Sequence, residues 1–373
     1  MNRKILTLIA FSFLLVTLAL AGCTDKSKED TEQAQNTTEQ EKGNTDKSSS
    51  DGTLDPLEET ATVTIAEDGS ASGAGFYIAK EKGYFKEYNI NIEFVKFGNS
   101  DQMLPALAAG KIDVAGGISS ASFFNSIAQG IDVRMIADKG HNIKGDSYFT
   151  FVIRKDLQDE IKDYSDLKGK RVAVSTKNAV DDYIFGRMLE HAGLTRDDVQ
   201  FTLMSDFGNM MAAMGNKQIA AALQIEPLIT QGVEKGLHVR FGDVAEDFAP
   251  NAQIAMVLGS PKFVSENRDV ALRFMAAYLK GVRDYNDVFV KDKGDEEAII
   301  NIMTEHTALE DPELWKKVAV TGLNPNGRMF VEDIKKQYNM YKENGGIKGE
   351  VDLDKAVDMS LVEDVVDIIG EYK

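Results

Sequence analysis

Ser70 and Ser72 lie in the run Gly69-Ser-Ala-Ser-Gly73, between a β-branched stretch and a helical one. Glycines let a backbone approach a ligand, and the free N–H groups of a helix start attract an anion or a polar edge. The same run also reads as a plain strand–helix turn. Ser119 and Ser120 follow Gly116-Gly117 and open another helix. Hydroxyls there either cap the helix or donate to a ligand. Thr176, Lys177 and Asn178 open a third helix after Val174. Gln224 and Glu226 stand just before Pro227. Glu226 suits a ligand with N–H donors or positive charge, with Arg154 as a candidate partner. It equally suits a cap on a helix starting at Pro227, where proline and a carboxylate both fit the first turn. His141 and Tyr148 fall in one further loop. Phe76, Tyr77, Phe123, Phe124 and Tyr183 offer a stacking wall, although helical spacing makes most of them core. Met204, Met210, Met211 and Met214 read as helix packing.

These residues point to binding rather than catalysis. Gly73 and Gly75 begin a dinucleotide fingerprint, but Ile78 occupies its third glycine position, so the motif fails. His141, His191, His238 and His306 make no His-x-x-x-His pair. There is no Gly-x-Ser-x-Gly and no Gly-x-x-x-x-Gly-Lys-Ser/Thr. No pair of carboxylates stands out as an acid–base couple. The expectation is therefore a protein with no catalytic residue, no cofactor and no metal.

The chain has 373 residues, 43% of them hydrophobic, and a formal net charge of −18. That length suggests two domains at roughly 150 residues each, and the hydrophobic fraction allows a sizeable core. The single cysteine excludes a disulfide framework and any cysteine-rich metal site. Sixty acids against 42 bases argue against nucleic acid, because phosphate binding needs a basic face.

Residues 1–22 read as a signal peptide: Arg3 and Lys4, then an apolar run from Ile5 to Leu20. The run ends in Leu20-Ala21-Gly22-Cys23, which resembles a bacterial lipobox. Cleavage would leave Cys23 as a lipidated first residue, and losing Arg3 and Lys4 deepens the acidic balance. Residues 23–60 contain no aromatic residue, and their only large aliphatics are Leu54 and Leu57. Such a segment reads as a flexible charged spacer. No later segment approaches the roughly 18 apolar residues needed to span a bilayer.

From Ala61 the pattern changes to short β-branched runs alternating with amphipathic segments. Strands are expected at 63–65, 91–97, 112–115 and 133–137. A second set is expected at 149–153, 171–174, 199–203 and 219–223, with a further strand at 254–258. Helices between them imply βαβ units and mainly parallel sheets. Beyond 258 the chain reads as helical, over 265–290, 295–304, 313–320, 330–343 and 356–370. In open α/β sheets a ligand sits beyond the carboxyl ends of the strands. That places the candidate site in loops 67–73, 116–122, 141–148, 175–180 and 224–227.

Several stretches resemble the extracytoplasmic solute-binding proteins of ABC importers, of the nitrate/sulfonate/taurine type and the related thiamine-pyrimidine-precursor type. They are GAGFYIAKEKGYFKEYNINIEFVKF (73–97), ALAAGKIDVAGGISSASFF (106–124), DLKGKRVAV (166–174) and Gln224-Ile225-Glu226-Pro227. The last of these stands where many members have an aromatic or small residue, then Asp/Glu-Pro. The resemblance covers about 61–260 and implies an α/β, type II periplasmic-binding-protein fold. In that fold two α/β lobes with a hinge close on a ligand cleft. It implies lobe 1 from 61–150 plus 256–373 and lobe 2 from 151–255, with crossovers near 147–153 and 251–258. It also implies a membrane-anchored monomer on the extracytoplasmic face, partnered by a permease and its ATPase. The expected ligand is a sulfonate, nitrate-like or other organic anion, with a nitrogen heterocycle as the alternative. A ligand-sensing lipoprotein or a pyrimidine-synthase-like enzyme would be different uses of the fold, and the cysteine-rich motif of that enzyme is missing.

Overall fold

The computed structural model describes residues 54–98, 100–144 and 148–373. The expected signal peptide, Cys23 and most of the expected spacer lie outside the described residues. Leu54 and Leu57, at the spacer's end, pack against the folded body, and the Leu57 amide donates to the Tyr88 carbonyl at 3.2 Å. The docked chain therefore begins before Ala61, because these two aliphatic side chains find apolar surface to cover.

Ten strands form two five-stranded sheets. The first contains β1 (Ala61–Glu67), β2 (Ile90–Lys96), β3 (Val114–Ile118), β4 (Arg134–Asn142) and β10 (Ala252–Gly259), in the order β2-β1-β3-β10-β4. The second contains β5 (Phe149–Arg154), β6 (Arg171–Val174), β7 (Gln200–Leu203), β8 (Ala221–Ile225) and β9 (His238–Arg240), in the order β7-β6-β8-β5-β9. The two orders match position for position. β1 pairs in parallel with β2 and β3, while β10 runs antiparallel to both β3 and β4. Likewise β6 is parallel to β7 and β8, and β5 is antiparallel to β8 and β9. Each sheet thus has four strands in one direction and one reversed strand. The reversed strand is the one the chain enters on arriving from the other sheet. It comes in at the carboxyl ends of the other four, so it must run back against them.

Burial explains the sequence pattern of these strands. Every residue of β8 and β10 is buried, as a central strand covered on both faces requires. β9 has only three residues and no apolar run, so nothing in its composition marks it as a strand.

Helices cover both sheets. Against the first lie Ala74–Glu81 and the long helix Arg268–Phe289. These two approach closely through Gly75 and Gly281: a Cβ on Gly281 would meet the Gly75 carbonyl oxygen at 2.3 Å. Phe76 packs its ring 4.7 Å from Tyr278, and Phe274 stacks on Phe85 at 5.2 Å. The helix Val331–Glu343 spans the two halves. Tyr338 meets Phe124 of the helix Ala121–Ala128 at 5.0 Å, and Asp333 accepts a 3.2 Å bond from Tyr183 of the helix Val180–His191. The expected helix over 313–320 is only Pro312–Trp315.

Candidate functional site

The carboxyl ends of the parallel strands of both sheets face one another, and two adjoining cavities lie between them. The outer one, of about 180 Å³, is lined from the first sheet's side by Asp68, Ser70 and Phe97. From the second sheet's side it is lined by Phe207, Ile225 and Glu226. The inner one, of about 20 Å³, is lined by Asp68, Gly116, Lys139, Tyr148, Ser175 and Phe207. That inner volume holds about one water molecule. Asp68 and Phe207 border both cavities.

The floor of the inner cavity is a buried polar network. Lys139, 1% exposed, extends from β4 and lies 3.0 Å from the Glu67 carboxylate at the end of β1. Its ammonium also donates to Ser72 Oγ at 2.8 Å. Ser72 Oγ lies 2.8 Å from Ser70 Oγ and 3.3 Å from the Tyr148 hydroxyl, and Tyr77 donates to Glu67 at 3.2 Å. A charge in such a place needs both a counter-ion and hydrogen bonds, and the network supplies them. Burial pushes the Glu67 carboxyl up to about 7, against the pull of Lys139. Burial alone would lower Lys139, but the neighbouring Glu67 and Asp68 charges hold it above its ordinary value. Gly116 on β3 completes the floor: a Cβ there would collide with the Glu67 carboxylate and with Lys139 Cε.

Three backbone hydrogen bonds join the halves around the cavities. Ala71 N–H donates to the Glu226 carbonyl at 3.2 Å. On another side, Ala121 N–H donates to the Asn178 carbonyl at 2.8 Å, and Val180 N–H donates to the Ser119 carbonyl at 3.1 Å. The loops that carry the expected site residues thus touch one another, and the cleft is shut.

The ten expected ligand residues divide into three groups. Ser70, Tyr148 and Glu226 line a cavity, and Ser72 lies in the floor network. Ser119, Ser120 and Asn178 stand at the contact between halves, and Thr176 precedes it in the chain by two residues. Ser119 Oγ donates to the Tyr341 hydroxyl at 3.4 Å, while Ser120 Oγ caps its helix by accepting from Phe123 N–H at 3.2 Å. The Thr176 amide donates to Asp181, and the Asn178 amide donates to Asp182. The remaining two lie elsewhere among the described residues. Gln224 donates to the Phe207 carbonyl at 2.9 Å, and His141 Nδ1 pairs with Asp138 at 3.1 Å.

Of the two readings that the sequence left open for Glu226, the structure shows the cap. Glu226 borders the outer cavity, yet its carboxylate accepts from the Thr230 amide at 3.1 Å and the Thr230 hydroxyl at 3.0 Å, and it pairs with Arg240. Its oxygens therefore cap the helix Leu228–Glu234 from the preceding turn. Arg154 pairs instead with Asp156. Asp68, Lys139, Glu67, Phe97 and Phe207 were not singled out in the sequence. Asp68 abuts the Gly69–Gly73 run and could have been included with it. Lys139 and Phe207 carry no local signal, since only the sheet topology brings them to the cleft.

The fold and site define a two-lobed protein with the periplasmic-binding-protein fold. Its topology is similar to that of the ligand-binding component of an ABC-type import system from Staphylococcus aureus, whose structure has zinc bound. The TM-score is 0.67 at 16% identity, over 82% of this chain and 99% of that one. It is also similar to the periplasmic aliphatic sulphonate-binding protein of Escherichia coli, with a TM-score of 0.63 at 19% identity over 80% of this chain and 92% of that one. In sequence, a protein of Brucella abortus named as a binding protein is 28% identical over 211 residues. That match spans 56% of this chain and 61% of the relative. Residues 70–287 match the NMT1/THI5-like family, and the chain belongs to that family.

Proposed function

We propose that this chain is the solute-capturing component of an ABC importer. It binds a small organic molecule between its two lobes and presents it to a membrane permease driven by an ATPase. The observation that carries this reading is the pair of cavities at the carboxyl ends of two topologically matched sheets, shut by backbone bonds between the lobes. Strand membership supports a first lobe built on 61–142 together with 252–373, and a second on 149–251. Closure by hinge motion at the two connecting segments would bury the ligand. On this reading capture proceeds without chemistry. The Leu20-Ala21-Gly22-Cys23 motif supports a lipid anchor at Cys23 on the extracytoplasmic face, with a monomer acting there.

The family resemblance points first to an organic anion; from the charge of the cleft lining we infer the alternative, a nitrogen heterocycle. Asp68, Asp206 and Glu226 border the outer cavity together with Lys96; Glu226 is paired with Arg240 and the inner Lys139 with Glu67, which leaves Asp68 and Asp206 against Lys96 among the described lining residues. A lining of that sign repels an anion and attracts N–H donors. Phe97 and Phe207 offer flat apolar faces to a ring. The test is to denature protein purified from its native host and identify the released small molecule by mass spectrometry. A nitrogen heterocycle with exocyclic N–H groups supports the reading, and a sulfonate or inorganic anion overturns it.

A further inference from the structure

The geometry points to a divalent transition-metal site on the first lobe, formed by Glu81, Glu305 and His306. Glu81 ends the helix Ala74–Glu81, while Glu305 and His306 end the helix Glu296–His306. One ligand atom from each residue lies within 4.8 Å of the other two, and His306 Nε2 is 3.0 Å from Glu81 Oε1. The imidazole is held before any ion arrives. It stacks on Tyr77 at 4.9 Å with 7° between the planes, meets the edge of Phe94 at 5.6 Å, and is 12% exposed. A ligand held in one orientation loses little freedom on binding.

The charges around the imidazole are unbalanced. Lys80 lies 3.5 Å from Glu81, but Glu305 has neither an ion pair nor a hydrogen bond among the described residues. Two carboxylates converging on one imidazole with a single lysine nearby repel each other, and a bound cation relieves that repulsion. One nitrogen and two oxygens suit Zn²⁺ or a similar borderline ion better than the all-oxygen shells of Mg²⁺ or Ca²⁺. Water would complete the coordination.

The ion would tie the ends of the two helices together beside the cleft. A Cβ on Gly69 would lie 3.6 Å from the His306 carbonyl, and Ala308, two residues on, lines the outer cavity. This site is separate from the ligand cavities and does not depend on what they bind.

Isothermal titration of the metal-stripped full chain, carrying no added histidines, with Zn²⁺ tests the site. Wild type is expected to take up one equivalent, His306→Ala to take up none, and Glu305→Gln to bind about tenfold more weakly. Glu305 is exposed, so its variant keeps the fold and the test stands even if His306→Ala unfolds. Wild type without saturable Zn²⁺ binding at micromolar concentration overturns the site, as does wild-type affinity in Glu305→Gln.

Discussion

Gly116 lies directly against Glu67: a Cβ at position 116 would come within 1.8 Å of the Glu67 carboxylate and 2.4 Å of Lys139 Cε. The gap at one strand position is what allows a lysine–glutamate pair to sit beneath the cleft. Gly116→Ala should therefore destabilise the protein by about 3 kcal/mol, at the upper end for overpacking, because strands on both sides hold β3 in place. Urea unfolding of wild type and variant measures this. A loss below half a kcal/mol would show that the pair can shift aside.

Lys139→Met should cost more at alkaline pH than at acid pH. Removing the cation leaves a buried carboxylate without its counter-ion, a change worth about 3 kcal/mol or more. Without the pull of Lys139 the buried carboxyl stays protonated to higher pH than in wild type, so the cost is smallest in acid, where Glu67 is neutral in both proteins, and grows as pH rises through the wild-type value of about 7. The double variant Lys139→Met/Glu67→Gln should recover much of the loss at pH 8. A cycle of unfolding free energies at pH 5 and pH 8 checks both claims.

Glu67 also sets a sign for the pH dependence of stability. Its folded value, about 7, lies above its ordinary 4.5. Between those values the folded state holds more proton than the unfolded one, so this contribution is complete below about 4.5 and is lost as pH rises through about 7. Asp181, raised to about 6 by burial, acts in the same direction. The difference between wild type and Glu67→Gln isolates the first group. Relative to the variant, wild type should lose on the order of 3 kcal/mol between pH 4.5 and 8. Parallel curves would contradict the assignment.

The architecture was largely legible because it follows from hydrophobic period and turn chemistry. Nine of the ten strands have an expected counterpart, and the two runs that read as separate α/β units are the two sheets. Length estimates erred where tertiary contact extends a strand: β4 continues from Ala137 to Asn142 because β10 pairs with it that far. β9 escaped notice because His238-Val-Arg240 has no alternation to detect. The expected loops fall at the strand ends and helix starts, which Gly, Ser and Thr mark, but their bounds overlap regular structure: Gly116–Ile118 belong to β3, His141 and Asn142 to β4, and Gln224 and Ile225 to β8. Individual side chains were harder. The sequence marks Ser119 and Asn178 as candidates for ligand contact but gives no sign that their backbones also join the two halves. Lys139 could not be found from sequence, because a lysine within a strand gives no sign that Glu67 and Ser72 will face it.

In the proposed capture of an N–H-bearing solute the acid at hand is Asp68, which borders both cavities and accepts the Ser70 amide with one oxygen. Thermal unfolding of wild type and Asp68→Asn with aminopyrimidines, alkanesulfonates and nitrate tests it most directly. A ligand at a hundred times its Kd adds about 2.7 kcal/mol to the stability of the state that binds it. An aminopyrimidine is expected to raise the wild-type midpoint by several degrees, and Asp68→Asn to lose most of that shift. Stabilisation by a sulfonate or nitrate alone, undiminished or strengthened in Asp68→Asn, would contradict the proposal.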